Sequence, residues 1–351
     1  MEKGIKTVNR IGMFNVYKGV LMFIILLGHS ITTYFHYWEY DILSNPLIMA
    51  LGLFGKIFIY GIAPSFFMLC GYGVRKMPVL NTARHQAKYF LKPYFLVAAV
   101  TVILILAKTI VAGGSIGESL RYYGLPYLLA YCPGERPFLG VEMSSIGPIW
   151  FFVTFFFSTI LLNVVLKEDR MWIQIALLVM VAAIGVTLRY VTLPFCFQQT
   201  LICTGYMYVG WLMKKKKLLA EKIPLYFLIL SLVFILGISL KGNVEVSQNV
   251  WEQGLTDLVA SYFAGFLLLL VGYQAGRFRG RVASWLAWMG QNALYICCIH
   301  TVAYTILPWD QLAAVFAEQK ILGACLEMLI HFIIAVGGTM LLNAYLRKRR
   351  K

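Results

Sequence analysis

Lys18 and His29 stand eleven residues apart in FNVYKGVLMFIILLGHS, a stretch from Phe14 to Ser30 that is otherwise almost wholly apolar. Eleven residues turn an α-helix through about 1100°, three turns plus about 20°, and advance it by roughly 16 Å. On a helix the two side chains therefore share a face, with Met22 and Ile25 on the steps between them. A lysine at the edge of a membrane and a titratable base deep on the same stripe suit a long ligand, anionic at one end and reactive at the other. Coenzyme A thioesters have that shape. Two plainer readings stand beside this one. Lys18 can be an interfacial lysine whose ammonium snorkels into the headgroups. His29 can be a packing histidine bonded to a neighbouring helix, although ionisable groups inside a span are rare and are functional candidates by default.

Other residues with chemistry to offer are sparse. RHQAKYFLKPYF carries Arg84, Lys88 and Lys92, spaced by four and so on one helical face. Glu327 is the one acid expected within a span. His331 follows it in the same span, and His36 and His85 read as loop or interface residues. The seven cysteines, Cys70, Cys132, Cys196, Cys203, Cys297, Cys298 and Cys325, show no CxxC pair and no metal-ligand spacing. Neither a disulfide framework nor a metal site is indicated, and small apolar core residues are the expectation. No Walker loop, dinucleotide fingerprint or nucleophile elbow is present, so phosphoryl, hydride and serine-hydrolase chemistry have no support.

The elements that must hold these residues are membrane helices. Of 351 residues, 60% are hydrophobic and only 13% charged, against about 45–50% and about 25% in soluble domains. The fold class expected is all-α: one polytopic membrane domain over residues 1–351. The N-terminus MEKGIKTVNR is short and basic, and no small-residue cleavage site follows it, so the first apolar segment reads as a retained span. A spanning helix needs about 20 apolar residues, which predicts about ten spans, at roughly 15–35, 51–74, 89–111, 147–166, 171–190, 194–213, 223–240, 255–275, 284–307 and 320–346. Arg189 and Pro194 crowd the junction of the fifth and sixth.

The intervening loops alternate in charge. One set carries Lys3, Lys6 and Arg10; Arg75, Lys76, Arg84 and Lys88; Lys167 and Arg170; Lys214 to Lys217 and Lys222; Arg277, Arg279 and Arg281; and the tail RKRRK. The other carries Glu39 and Asp41; Glu118, Glu135 and Glu142; Glu245, Glu252 and Asp257; and Asp310 and Glu318. Basic loops stay cytoplasmic, which predicts both termini inside and an even number of spans. The net charge of +16 is then mostly topology. It attracts anionic lipid and needs no nucleic acid. The longest outer segment, Val111 to Gly147, is rich in Gly, Pro and Tyr and is expected to fold over the membrane face.

With these residues in view, the chain resembles the acyltransferase 3 family of membrane proteins, whose first helix carries a basic residue, ten residues, then histidine. Here those are Lys18 and His29. GIAPSFFMLCGYGV (Gly61–Val74), GPIWFFVTFFF (Gly147–Phe157) and MGQNALYICCIH (Met289–His300) resemble later family segments in the same order. Departures are visible too. The family often has Arg at the Lys18 position, lysine occurring in its sugar O-acetylase-like branch. Asn15 stands where an acid is usual, Cys70 replaces a serine, and the Arg-x-x-Arg pair after the second helix is absent as such.

The resemblance implies an enzyme that moves an acyl group, acetyl in most members, from acyl-CoA to a hydroxyl of a carbohydrate or related cell-envelope acceptor. It implies a multi-pass protein of the cytoplasmic (inner) membrane, using acyl-CoA as donor substrate and no metal. A hydroxyl is a poor nucleophile at neutral pH, and a placed base contributes about 10²–10⁴ in rate. Imidazole suits that work because its unperturbed pKa lies near the working pH. His29 is the expected base, with direct attack on the thioester; an acyl-histidine intermediate is the alternative. Ser30, Trp150 and Asn292 are candidate oxyanion donors. His300 is either a wall of the site and orienter of the base, or a histidine reaching interfacial water. Lys18, Arg75, Arg84, Lys88 and Lys92 are expected to meet the CoA phosphates as point charges, or else serve as positive-inside anchors.

The rival class is a secondary transporter or flippase of a polar solute. Such proteins carry broken helices in matched halves; no halves match here, and Gly61–Pro64 is the best candidate for a break. A sensor or partner-binding subunit has no positive sign.

Overall fold

The computed structural model of the protein describes residues 14–34, 46–132, 136–221 and 223–348. Lys3, Lys6, Arg10, His36, Glu39, Asp41, Glu135, Lys222 and residues 349–351 of the basic tail lie outside the described residues. Most of the described residues are helical. In order come α1 (Asn15–Tyr34), α2 (Pro46–Gly73), α3 (Val79–Val111), α4 (Trp150–Val165), α5 (Met171–Thr187), α6 (Phe197–Lys215), α7 (Leu225–Ser239), α8 (Leu255–Ala275), α9 (Arg281–Gln291), α10 (Ala293–Ile306), α11 (Trp309–Val315) and α12 (Lys320–Lys348). A two-stranded antiparallel hairpin, β1 (Val244–Glu245) and β2 (Val250–Trp251), joins α7 to α8.

Among the described residues, six helices are long and apolar enough to cross a membrane, and the pair α9–α10 makes a seventh if it is one bent span. The apolar helices Asn15–Ile31 and Leu225–Ser239 are shorter. The lipid-facing helices declare themselves by their surfaces: Leu96, Ile103 and Ile110 on α3 and Leu225, Leu230 and Val233 on α7 are exposed. A helix apolar on every side has no face that prefers water.

The centre is α6, packed between α2, α4 and α5. Its sequence includes two glutamines, two threonines and a pair of lysines, yet it is buried over most of its length. Burial is tolerated where polar groups find partners, although the Thr200 hydroxyl and Gln199 Oε1 have none among the described residues. The Ser158 hydroxyl donates to the Thr200 carbonyl at 3.1 Å, Tyr208 donates to Gln174 Oε1 at 2.8 Å, and the Tyr206 and Ser261 hydroxyls lie 2.6 Å apart. Small residues let α2 and α6 touch backbone to backbone: a Cβ on Gly71 would collide with the Met207 carbonyl, and one on Gly210 with that of Met68.

Three expectations are corrected. The helix break lies at Gln291–Asn292, where α9 and α10 bend by 73°, so the stretch 284–307 is two helices. The Asn292 amide holds the corner, donating from Nδ2 to the Trp288 carbonyl at 2.8 Å while Oδ1 accepts from Asn343 at 2.8 Å. Gly61–Pro64 is no break, because α2 runs unbroken through Pro64, which seats against Gly265 of α8. Proline inside a membrane helix is tolerated where neighbouring helices support it. The third helix begins at Val79 and not at 89, and a π turn at Ala87–Leu91 interrupts it. Residues 116–129 form short helical turns and Phe138 bridges Val141, with Tyr131 and Ile146 buried.

Candidate functional site

α1 carries the first two candidates on its inner face. It crosses α9 so tightly that a Cβ on Gly19 would strike the Leu286 carbonyl oxygen and one on Gly290 that of Asn15. This contact turns Met22 and Leu26 into a small core with Met289, Ile296 and Val336. Lys18 and His29, on the same stripe, are half-buried. Lys18 lies within electrostatic reach of Cys70 at the end of α2. Around this end are two cation–aromatic pairs, Lys214 Nζ 5.9 Å from the Tyr72 ring and Arg277 5.2 Å from the Tyr273 ring, and one ring pair, Phe14 edge-on to Tyr72 at 5.5 Å.

At the other end of α1, three helices bring their histidines together. The His29 ring lies 5.2 Å from that of His300 on α10 and 4.9 Å from that of Tyr304, one turn further along. His300 Nδ1 is 3.0 Å from His331 Nδ1 on α12. Trp309 of α11 stacks on His331 at 4.1 Å and 21°. Glu327, one turn before His331, is fully buried, and its Oε1 lies 3.6 Å from His331 Nε2. The same oxygen is 2.9 Å from Thr33 Oγ1, whose hydroxyl also lies 3.2 Å from the His29 carbonyl. One turn of α1 thus ties the backbone of His29 to the carboxyl of α12.

The 3.0 Å contact between His300 and His331 requires one of the two Nδ1 atoms to donate and the other to accept. His300 Nε2, His331 Nε2 and Glu327 Oε2 are buried with no hydrogen-bond partner among the described residues. Imidazoles and a carboxyl gathered this closely beside His29 are a layout suited to taking and passing a proton. Among the described residues, no group of three or more His, Cys, Asp or Glu is arranged to hold a metal ion.

The remaining candidates are distributed more widely. Ser30 is buried next to His29, and its hydroxyl donates back to the Leu26 carbonyl at 3.1 Å. Trp150 opens α4, packed on Phe67 at 5.9 Å, three residues after Gly147, which faces the Tyr304 ring. Asn292 belongs to the opposite end of α10, where a cleft is lined by Tyr295, Asn343, Leu346 and Arg347. Arg75, Arg84, Lys88 and Lys92 are exposed along the α2–α3 turn and the start of α3, and the π turn lies between Arg84 and Lys92. His85 stacks with Tyr89 at 4.8 Å on this exposed stretch.

Four residues of this cluster are not singled out for the site by the sequence: Glu327, His331, Tyr304 and Trp309. A signal existed for two of them. An acid and a histidine four apart in an apolar helix share one face, and neither is comfortable in lipid.

The family model described as an acyltransferase domain matches residues 12–347, nearly the whole chain. No curated protein and no solved structure matches the chain.

Proposed function

The chain belongs to the acyltransferase 3 family, and on that premise we propose that it moves an acyl group, acetyl in the first instance, from cytoplasmic acyl-CoA to a hydroxyl of a cell-envelope carbohydrate. In this reading it is a single domain of the inner membrane with about ten spans and both termini in the cytoplasm. The family match does not favour the transporter reading.

The observation that carries the chemistry is the meeting of His29, His300 and His331 beside a buried carboxyl. His29 takes the proton of the acceptor hydroxyl as its oxygen attacks the thioester carbonyl. The C–O bond forms, the C–S bond breaks, and CoA leaves as the thiolate. His300, whose buried Nε2 has no hydrogen-bond partner among the described residues, stands ready to receive the proton His29 acquires, with His331 and Glu327 packed behind it. Trp150 is the oxyanion donor in this scheme, since the Ser30 proton and one Asn292 amide proton are engaged elsewhere. At the far end of the same helical stripe Lys18 meets the phosphates of CoA, with Arg75, Arg84, Lys88 and Lys92 as further cations along the entrance.

A second assignment has a specific observation behind it: the buried, unpartnered Nε2 of His300 makes that residue the base, with His29 as its neighbour. The experiment is acetyl-CoA turnover by purified protein in liposomes, paired with mass spectrometry of envelope glycans from cells with and without the gene. Loss of an acetyl mass from one glycan upon deletion, with turnover by the pure protein, supports the reading. Unchanged glycans and no acetyl-CoA consumption end it. Comparing His29→Ala with His300→Ala then decides between the two bases.

A further inference from the structure

The last turns of α12 form one wall of an open cleft of about 190 Å³, with Asn343, Leu346 and Arg347 on that helix and Tyr295 of α10 across from them. A single water needs roughly 10–15 Å³ measured the same way, so the cleft has room for a polyatomic group. The side chains around it offer mostly donors, and no acid lines it. Arg347 makes no ion pair or hydrogen bond among the described residues, and the Tyr295 hydroxyl makes no hydrogen bond there. Asn343 gives one Nδ2 proton to Asn292 Oδ1 at 2.8 Å. That direction is fixed, because the Asn292 amide donates its own Nδ2 to the Trp288 carbonyl at 2.8 Å. The second Nδ2 proton of Asn343 and its Oδ1 are left over. A guanidinium, an amide N–H and a phenolic O–H around one space match a phosphate, and the single acceptor matches a hydroxyl.

The place of the cleft in the fold says where that phosphate comes from. α9 turns 73° from α10 at Asn292, and a helix turned that far from a membrane-crossing neighbour runs nearly along the membrane face. Its sequence suits that course: Arg281, Ser284 and Gln291 stand among Trp285, Leu286 and Trp288, the mixture of polar and aromatic residues found in interfacial helices. Trp side chains gather at the level of the headgroups, and Trp285 packs on Phe332 of α12 at 5.5 Å. Away from the cleft, α12 turns Ile333, Met340 and Leu341 outward, all exposed. No atom lies within 4 Å of the point where a Cβ on Gly337 would sit, so this apolar strip is notched. A polar cleft continued by a notched apolar strip has the outline of a lipid, headgroup in the cleft and chains along the strip. Lys348, exposed beside Arg347, makes the rim cationic, which selects a headgroup of net negative charge.

We propose that this cleft holds the headgroup of an anionic phospholipid of the phosphatidylglycerol type, its phosphate on Arg347, Tyr295 and Asn343 Nδ2 and a glycerol hydroxyl on Asn343 Oδ1. The bound lipid braces the α9–α10 corner through Asn343 and Asn292, and beside that corner lies the close crossing of Gly290 with α1. The site does not rest on the acyl-transfer reading above.

The test is native mass spectrometry of the full chain in detergent, titrated with dioleoyl phosphatidylglycerol or dioleoyl phosphatidylcholine. One tightly held copy of phosphatidylglycerol is expected, bound about tenfold or more above phosphatidylcholine. Arg347→Gln weakens it about tenfold, the loss of a hydrogen bond between charged groups, and Tyr295→Phe about fivefold. Both side chains are exposed, so neither substitution disturbs the core. Lys167→Gln, which removes an exposed cation elsewhere, leaves binding unchanged. The proposal is overturned if the two lipids bind alike, or if Arg347→Gln holds phosphatidylglycerol as the unaltered protein does. It is overturned too if Lys167→Gln weakens binding as much as Arg347→Gln, the mark of general charge attraction. Coenzyme A tests the other source of phosphate: added in excess, it leaves the lipid in place. Displacement of the lipid by coenzyme A would give the cleft to a nucleotide and end the proposal.

Discussion

His300 Nδ1 and His331 Nδ1 lie 3.0 Å apart across the contact between α10 and α12. Two imidazole nitrogens at that separation cannot both donate or both accept, so each ring dictates the tautomer of the other. The Glu327 carboxyl lies at the far side of His331, 3.6 Å from its Nε2. Glu327→Gln removes the acid while keeping size and the acceptor oxygen for Thr33. Turnover should fall about tenfold or more, a fraction of what a general base contributes, with the KM for acetyl-CoA unchanged. Steady-state kinetics of the purified variant checks it, and a change confined to KM would show that the carboxyl serves the donor instead.

His29→Ala should reduce acetyl transfer by about 10²–10⁴ with the protein present in membranes at its normal amount. Quantitative immunoblotting beside the activity assay separates loss of chemistry from loss of protein. Activity within a few-fold of normal, together with a silent His300→Ala, would move the base out of this cluster.

Lys18→Ala should raise the KM for acetyl-CoA about tenfold, the size of one lost hydrogen bond to a charged group, with turnover little altered. Lys18→Arg should recover much of the affinity, because Arg also carries a fixed positive charge. A Lys18→Ala protein with an unchanged KM would return that residue to anchoring in the headgroups.

Gly290→Val should destabilise the fold by about 1–3 kcal/mol, as overpacked contacts do, since any Cβ there meets the Asn15 backbone. The thermal unfolding midpoint in nanodiscs reports it. Because this crossing also aims α1, activity should fall in step with the lowered midpoint, whereas Gly237→Ala, which has open space around it, should leave both unchanged.

Much of the helix pattern is readable from local runs. The apolar stretches at 171–190 and 255–275 reappear within a residue or so as helices, because an apolar backbone in lipid must satisfy its own hydrogen bonds. The same local logic put Lys18 and His29 on one face, since helical period is a property of neighbouring residues. Pro64 misled: its effect on a helix depends on what packs beside it, here Gly265. The break at Asn292 depends equally on a partner, Asn343, 51 residues away.

The chain's sequence by itself determined a membrane protein of apolar helices, a stripe joining a cation to an imidazole, and membership of a family that transfers acyl groups. Only tertiary structure decided which groups stand around that imidazole. His300, Glu327 and His331 come from two later helices, and nothing in local periodicity tells one helix which face of another it will meet. That choice is made where small residues permit close approach, at Gly19 and Gly290, and where a buried carboxyl must find Thr33 and His331 because lipid offers it no water.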